Sequence, residues 1–351
     1  MTPEVFGYLG EDTPVMLFTL TNPSGTEVRV INYGATIVSC KTRDRSGRLG
    51  DIVLGFSDLS SYVTHSAYFG AVVGRYANRI AHGRFVLNGR TYSLATNDGQ
   101  HHLHGGNRGF DKQVWAAQPF AGERRQGVTF SRVSPDREEG YPGNVAVTVQ
   151  YALTNDSDLI VDYAATSDAS TPINLTQHTY FNLAGEGQGD ILGHRVVINA
   201  SRYTPVTEAL VPTGDIDPVA GTPFDLRDEV RIGEVISNEH EQLRRASGYD
   251  HNFVVNREDD RLAAVARVFE PTTGRTLEVF STEPGVQFYS GNFLDGTLVG
   301  KAGHAYPRRA GLCLETQRFP DSPNHPQFPC TILGPGDELV SQTVLRFGSR
   351  T

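Results

Sequence analysis

The stretch VAVTVQYALTNDSDLIVDYAATS, residues 145–167, decides the fold class. Successive side chains of a β-strand point to opposite faces, so the apolar residues at alternate positions of 145–151 and 159–165 would share one face of each strand. Between these runs, TNDSD consists mainly of residues that favour turns. The pattern predicts an antiparallel hairpin with one buried face.

Similar strand signals recur along the whole chain. RFVLNGRTYSL, residues 84–94, places Asn88-Gly89 between two alternating runs, which predicts a two-residue hairpin loop. The best helical segment is NEHEQLRRA, with Asn238 as N-cap and Glu241 three residues later. No strand–helix–strand rhythm is visible, so we expect an all-β fold, a sandwich or barrel, in one large domain. Further strands are predicted at 27–31, 194–200, 264–269, 276–281, 285–290, 311–317 and 343–347.

Composition and charge exclude several classes of protein. The 351 residues are 38% hydrophobic, enough to bury a large core. A net charge of −9 argues against a nucleic-acid or anionic-membrane surface, both of which need clustered Lys and Arg. The three cysteines, Cys40, Cys313 and Cys330, lie far apart and indicate neither a disulfide framework nor a thiolate zinc site.

The expected location is the cytoplasm. Free thiols fit a reducing compartment. Glu4, Glu11 and Asp12 interrupt the N-terminal region where a signal peptide would need a basic start and an unbroken apolar core. No apolar run approaches transmembrane length, so a soluble cytoplasmic protein is the expectation.

Three segments carry candidate catalytic groups. HHLHGGNRGF, residues 101–110, has His101, His102 and His104 before a glycine pair that would let a ligand approach the backbone; His102 and His104 could also be two metal ligands on one strand face. If INLTQHTYFNLAG, residues 173–185, is a strand, His178 belongs to an uncharged polar face. In GLCLETQRF, residues 311–319, Glu315 would lie between a cysteine and an amide, where partial desolvation raises a carboxyl pKa.

Other polar segments have the composition of a sugar site. Asn, Asp, Arg and Gln side chains can bond vicinal hydroxyls, and aromatic faces stack on the apolar face of a pyranose. Three segments combine these residue types: VGRYANRI with Arg75, Asn78 and Arg79, GYDHNF with Asp250, His251 and Asn252, and PGVQFYSGNF with Gln287, Phe288 and Tyr289. The phosphate-loop, serine-hydrolase and zinc-protease motifs GxxxxGK[ST], GxGxxG, GxSxG and HExxH are missing from the sequence.

Taken together, these segments resemble the aldose 1-epimerase (galactose mutarotase) family. The matching stretches follow in family order from about residue 70 to 330: VGRYANRIAHGRF, LHGGNRGFDKQVW, EEGYPGNV, INLTQHTYFNLAG, GTPFDLR, GYDHNF, PGVQFYSGNFLDG and GLCLETQRFPDSPN. The resemblance implies one domain over residues 1–351, folded as a large antiparallel β-sandwich of the galactose mutarotase-like supersandwich type with few short helices. It also implies that the sugar binds in a cleft on one sheet.

The resemblance assigns a role to seven residues. Glu315 matches the family's catalytic base, His178 its general acid, and His104 a second active-site histidine that contacts the sugar near its ring oxygen. The substrate-binding positions correspond to Asn78, Arg79, Asp250 and Gln287. Two departures from the family pattern, His101-His102 before LHGG and Gln177 where asparagine is common, bear on sugar preference.

These roles suit the opening of a hemiacetal. One proton must leave the C1 hydroxyl and another must reach the ring oxygen, and each positioned acid or base contributes ~10²–10⁴ in rate. Because mutarotation already proceeds slowly in water, no metal or cofactor is expected. The expected partner is a monosaccharide such as galactose or glucose, without nucleic acid or membrane, for a monomer or homodimer in galactose and carbohydrate metabolism.

Three alternatives stay open. A hexose-6-phosphate 1-epimerase would need a basic pocket, and Arg308-Arg309 is the only obvious pair. A non-catalytic sugar-binding protein of this fold would be expected to have lost the acid or the base. A β-barrel metalloenzyme would use His102, His104 and Glu315 as ligands, with bound metal and sensitivity to chelators.

Overall fold

The computed structural model describes residues 2–65 and 67–350, and strands dominate them. Over these residues the strands, numbered in chain order, are β1 (Glu4–Leu9), β2 (Thr13–Thr21), β3 (Glu27–Ile31), β4 (Thr36–Arg43), β5 (Leu49–Asp51), β6 (Val72–Val73), β7 (Arg79–Ile80), β8 (Arg84–Leu87), β9 (Arg90–Ser93), β10 (His102–Leu103), β11 (Ala116–Ala121), β12 (Arg125–Ser134), β13 (Val145–Thr154), β14 (Asp158–Ser167), β15 (Thr171–Pro172), β16 (Thr176–Gln177), β17 (Arg195–Ile198), β18 (Ala200–Thr204), β19 (Asp217–Pro218), β20 (Val230–Arg231), β21 (Asp250–Val255), β22 (Ala263–Phe269), β23 (Arg275–Ser281), β24 (Gly285–Tyr289), β25 (Cys313–Gln317), β26 (Ile332–Leu333) and β27 (Glu338–Ser349).

Helices are few and short. The described part of the chain contains α1 (Leu59–Thr64), α2 (Ile232–Val235) and α3 (Glu241–Arg245), besides short 3₁₀ turns. Among the described residues, no helix has the length and apolar character needed to cross a bilayer. The predicted helix is confirmed in α3, but its predicted cap is wrong: His240, not Asn238, is the N-cap and accepts the Gln242 N–H.

Three large antiparallel sheets form the architecture of the described residues, beside four two-stranded sheets. A nine-stranded sheet has the order β11-β12-β13-β14-β27-β23-β22-β17-β20, and two five-stranded sheets have the orders β1-β2-β3-β4-β5 and β19-β18-β21-β24-β25. The β13–β14 hairpin lies within the large sheet with Val145 opposite Ser167 and Leu153 opposite Leu159. The alternate apolar side chains of both strands are buried, which confirms the predicted face. The all-β antiparallel prediction is therefore confirmed.

One hydrophobic core joins the three sheets. Phe18 of β2 meets Phe130 of β12 edge to face, with ring centroids 6.0 Å apart. On the other side, the hydroxyl oxygens of Thr316 in β25 and Thr343 in β27 lie 2.6 Å apart. The buried cluster runs from Phe18 to Phe347 and includes residues of all three sheets. Packing of sheet on sheet fixes β21, β24 and β25, and these strands hold the site described below.

The predicted hairpin at 84–94 and the predicted strand at 173–185 have different outcomes. The 84–94 hairpin is confirmed, with Asn88 and Gly89 both at positive φ between β8 and β9, as a two-residue turn requires. The segment 173–185 forms only the short strand β16, with isolated bridges before and after it. Its polar face is buried: Asn174 donates to the carbonyl oxygens of Ala77 and Arg318.

Candidate active site

A cleft of about 430 Å³ opens beside β25, and it gathers most of the predicted site residues. Among the residues that line it are Asn78, Arg79, His104, His178, Asp250 and Glu315. Gln287 does not line the cleft; it lies behind Asp250, to which its Nε2 donates at 2.7 Å. Residues far apart in the sequence thus meet in one concave site, the usual form of a small-molecule site.

The strand pairing places Glu315 at the floor of the cleft. Glu315 is the central residue of β25 and pairs with Gln287 of β24. The Glu315 carboxylate is 2% exposed, and its Oε2 has no hydrogen-bond partner among the described residues. Burial, helped by the negative charge of Asp250, raises the pKa of Glu315 well above its usual range, whereas Arg79 opposes the shift. A carboxyl with a raised pKa is suited to exchange protons near neutral pH.

His178 follows β16 directly and faces this carboxylate. Its Nε2 lies 3.6 Å from Glu315 Oε1, and both side chains are almost fully buried. Burial lowers the pKa of His178 to about 4, while a hydrogen bond with its own backbone favours the protonated ring. Burial thus favours an uncharged pair, with a proton on the Glu315 carboxyl and a neutral His178 ring.

Aromatic rings hold the His178 imidazole in place. The ring stacks on Tyr180 at a centroid distance of 5.1 Å and on Tyr68 at 5.8 Å. Its Nδ1 lies 3.6 Å from the Cys313 sulfur. A ring with neighbours on these sides has little freedom to rotate, so Nε2 stays directed at Glu315.

His104 enters from a tight turn on the other wall. Its backbone is left-handed, with φ 51°, and the following Gly105 is also at positive φ. A Cβ at Gly105 would lie 1.9 Å from the carbonyl oxygen of Gly74, so only glycine fits there. The sequence predicts that this glycine pair lets a ligand approach the backbone; the structure shows that Gly105 also admits the backbone at Gly74 and that Gly106 packs against the Glu139 side chain.

The His104 ring is buried, and its electrostatic surroundings disfavour a positive charge. Its Nδ1 accepts the backbone N–H of Asn78 at 3.1 Å. Burial lowers the pKa of His104 well below its usual range, and positive charge on His178, Arg79 and Lys112 adds to this shift. His104 is therefore a neutral imidazole at the wall of the cleft.

Arg79 and Asp250 form the charged side of the cleft. Arg79 Nη1 lies 4.0 Å from Asp250 Oδ2, and Arg79 Nε donates to Asp98 Oδ2 at 2.8 Å. Burial raises the pKa of Asp250, while Arg79 and the Gln287 amide act to lower it. Donors and acceptors of both signs thus face the same space, as recognition of vicinal hydroxyls requires.

Three residues of the predicted polar segments have structural roles instead. His101 lies outside the cleft, where its Nδ1 accepts the His82 backbone N–H. Arg75 is buried and bonds the backbone carbonyls of Pro142 and Gly143. His102 is fully buried, and both of its ring nitrogens are engaged in hydrogen bonds within the protein, so it cannot also bind a ligand.

His102 bridges two parts of the chain, and its replacement is expected to affect stability alone. Its Nε2 lies 2.7 Å from Tyr141 Oη and its Nδ1 lies 2.7 Å from the Ala95 carbonyl oxygen. His102→Gln breaks at least one buried hydrogen bond, so we expect the free energy of unfolding to fall by about 1–3 kcal/mol in urea titrations. The turnover number should stay nearly unchanged; a collapse of activity in the folded variant would contradict the structural role.

A possible metal-binding set differs from the one that the sequence suggested. His104, His178 and Glu315 each offer a ligand atom, and these atoms lie within 4.8 Å of one another. His102 is not part of this group. Two histidines and a glutamate are also the protein ligands of some catalytic zinc sites, so whether this group could hold a metal is decided by the protonation of the two rings.

The basic residues needed for a phosphate are not supplied by the predicted pair. Arg308 and Arg309 both donate to the Ser247 carbonyl oxygen and neither lines the cleft. Over the described ranges, Arg79 is the only Lys or Arg that lines it, and its Nε is already paired with Asp98. The cleft therefore suits neutral polyhydroxyl ligands better than sugar phosphates.

Sequence reasoning missed several residues of the cleft. Tyr68 stacks on His178 and meets His104 at a tilt, with its ring centroid 4.6 Å from that of His104, yet its segment HSAYFG shows no polar pattern. Asp98, the partner of Arg79, lies in a loop that offers no sign of long-range pairing. The cleft wall from Phe293 to Leu298 is likewise irregular in sequence. The only sequence signal for the ion pair was that Asp98 and Arg79 carry opposite charges. Opposite charges alone do not show that two residues are in contact.

The known proteins that this chain resembles in sequence are aldose 1-epimerases and galactose mutarotases. The family model described as aldose 1-epimerase matches residues 16–346. The chain is 51% identical to galactose mutarotase of Rattus norvegicus over 320 residues, which cover 91% of this chain and 90% of the relative. It is 39% identical to aldose 1-epimerase of Escherichia coli (strain K12), covering 95% of each chain.

Solved structures agree with the sequence comparison. The crystal structure of galactose 1-epimerase from Lactobacillus acidophilus NCFM superposes with a TM-score of 0.86 at 28% identity, covering 100% of this chain and 99% of that one. An aldose epimerase homologue from C. elegans gives a TM-score of 0.87 at 27% identity, covering 95% of this chain and 99% of that one. The whole chain is thus similar to these proteins in fold.

Proposed function

The chain belongs to the aldose 1-epimerase family and interconverts the anomers of aldoses, and we propose that Glu315 and His178 exchange the two protons of this reaction. The observation that carries this assignment is their approach to 3.6 Å in a buried cleft that otherwise offers hydroxyl-binding groups. Galactose and glucose are the proposed substrates, as free sugars.

The reaction needs one proton removed and one delivered. The Glu315 carboxylate accepts the proton of the C1 hydroxyl while His178 donates its Nε2 proton to the ring oxygen. The C1–O5 bond breaks and C1 becomes the aldehyde carbon. After rotation about the C1–C2 bond, the protons return by the reverse steps, and the ring closes as the other anomer. Each transfer lowers the barrier by roughly 3–5 kcal/mol.

Sugar binding must first move a proton from Glu315 to His178. Burial alone favours the neutral pair. A C1 hydroxyl that donates to the unpartnered Glu315 oxygen stabilises the carboxylate, because hydrogen bonding to the charged form lowers a carboxyl pKa. The neutral pair and the ion pair contain the same number of protons, so no proton has to enter from solvent.

The remaining polar groups are proposed to hold the sugar. Arg79 and Asp250 are a charged pair in the lining of the cleft, and Asn78 and His104 also line it, tied to each other through a hydrogen bond from the Asn78 N–H to the His104 ring. Gln287 is proposed to act from behind, by fixing the Asp250 carboxylate through their 2.7 Å hydrogen bond. Both the acid and the base are retained, which favours an enzyme over a non-catalytic sugar-binding protein.

We also propose a domain organisation, a cellular location and an oligomeric state for this chain. The core that joins the three sheets supports one domain for residues 1–351. The unpaired Cys40, Cys313 and Cys330 support a cytoplasmic location. The similarity to galactose mutarotase supports a role in galactose metabolism. Proton transfer between side chains supports a reaction without metal or cofactor. We further propose a monomer or homodimer that binds neither nucleic acid nor membrane.

Polarimetry of freshly dissolved α-D-galactose and α-D-glucose tests the proposed substrates. We expect the protein to accelerate the change of optical rotation to equilibrium on at least one of them, and to leave glucose 6-phosphate close to its spontaneous rate because Arg79 is already paired with Asp98. No acceleration by well-folded protein on these sugars, L-arabinose or D-xylose would overturn the proposal. Selective acceleration of glucose 6-phosphate would favour the phosphate-sugar enzyme.

A further inference from the structure

Two backbone hydrogen bonds tie His104 to Asn78. The His104 N–H donates to the Asn78 carbonyl oxygen at 2.9 Å, and the Asn78 N–H donates to His104 Nδ1 at 3.1 Å. Both residues are left-handed, with φ 51° and 63°. Such backbone conformations cost on the order of 1 kcal/mol each and persist where the surroundings require them. The strain therefore marks an arrangement that the fold maintains.

The second of these bonds fixes the tautomer of His104. A backbone N–H is a donor only, so the Nδ1 that receives it carries a lone pair and no proton. In a neutral imidazole the proton is then on Nε2. We propose that the Asn78 backbone locks His104 as a permanently neutral Nε2–H donor to the sugar, which is not a proton carrier. This inference rests on the proposed function for the identity of the ligand only.

The lock also disfavours the charged form of His104. A proton on Nδ1 would face the Asn78 N–H across 3.1 Å, which places two donors against each other. Arg79 and Lys112 are nearby positive charges, and the ring is 7% exposed. A neutral ring that gave up its Nε2 proton would become an imidazolate, so His104 can donate a hydrogen bond but cannot supply a proton.

His178 has the opposite arrangement. Its Nδ1 meets the Cys313 sulfur at 3.6 Å, and its own backbone offers a bond that favours the protonated ring. No backbone N–H donates to the His178 ring among the hydrogen bonds of residues 2–65 and 67–350. Two histidines whose ring centroids are 5.2 Å apart thus have different functions, one as proton carrier and one as fixed donor.

The same lock bears on the metal-like group of His104, His178 and Glu315. Metal-ligating histidines usually donate their other ring N–H to an acceptor. Ligation through His104 Nε2 would move its proton to Nδ1, where the Asn78 N–H is a donor. The group therefore has ligand atoms at suitable distances and the wrong protonation for three-point binding of zinc.

Nitrogen NMR tests the tautomer directly. With ¹⁵N-histidine-labelled wild type, and with His104→Gln to assign the signals, we expect His104 to show a protonated Nε2 and an unprotonated Nδ1 from pH 5.5 to 9. A protonated Nδ1, or an imidazolium signal in this range, would overturn the lock. This readout does not depend on catalysis, so a wild type without mutarotase activity would contradict the proposed function and leave the tautomer result standing.

An identical substitution at the two histidines tests their roles. Glutamine can donate a hydrogen bond but cannot exchange a proton, so we expect His104→Gln to keep kcat within about tenfold and His178→Gln to lose ~10²–10⁴. His104→Leu, which has no donor, should lose more than His104→Gln. Equal losses in the two glutamine variants, with both folded and both binding galactose, would overturn the assignment of His104 as donor only.

Discussion

Replacement of Glu315 by glutamine is expected to lower kcat for mutarotation about 10³-fold, the loss typical of removing a positioned acid or base. The glutamine side chain fills the same space at the centre of β25 but cannot take the C1 hydroxyl proton. KM should change little by comparison, because the sugar keeps the other polar groups of the cleft. Initial rates from polarimetry over a range of galactose concentrations separate the two constants.

The stability of the same variant is its control. The folded pKa of Glu315 is raised above the unfolded value of about 4.3, so this carboxyl opposes folding increasingly as the pH rises above that value. Glu315→Gln removes this ionisation, and we expect its free energy of unfolding to exceed that of wild type by more at pH 8 than at pH 5. Retained activity in a variant with this stability pattern would exclude Glu315 as the base.

Arg75→Met should cost roughly 3 kcal/mol of unfolding free energy, the largest stability effect that we expect from one side chain of the VGRYANRI segment. Arg75 is 2% exposed, and its guanidinium donates to the backbone carbonyls of Ser134, Pro135, Pro142 and Gly143. Methionine leaves these buried acceptors without a donor. Urea unfolding followed by circular dichroism measures the loss.

The matched control is Arg79→Met in the same segment. Arg79 lines the cleft and pairs with Asp98 and Asp250, so its loss should appear mainly as a KM for galactose raised by roughly 10–100-fold. For Arg75→Met, the KM of the folded fraction should stay close to wild type. A raised KM with unchanged stability in Arg75→Met would contradict the purely structural role of Arg75, which is to bond backbone carbonyls outside the cleft.

The fold class could be predicted because burial on one face leaves a period of two in the sequence. The 145–167 hairpin and the Asn88-Gly89 turn show this period, and both are confirmed. The segment 173–185 has the same alternation but forms only β16, because its amides and hydroxyl bond neighbouring backbone instead of continuing a ladder. Alternation reports which side chains share a face and not how many backbone groups pair.

The site was predicted less completely than the fold. Recognition of family motifs identified six cleft-lining residues, but Arg75 and Arg79, four positions apart, could not be separated by their chemistry. One points between loops and the other into the cleft, which depends on the path of the backbone. The proton states of Glu315 and His178 likewise follow from burial, a property of the assembled sheets.

The position of β27 in the large sheet has a consequence for biosynthesis. β27 is inserted between β14 and β23, and its Arg346 pairs with Asp158 across 188 residues of sequence. After β23 has been translated and before β27 has been, β14 and β23 each present an open sheet edge. Such edges readily pair with other chains. A nascent polypeptide that stalls before residue 338 would therefore be prone to aggregate, and chaperone binding is most needed in that interval.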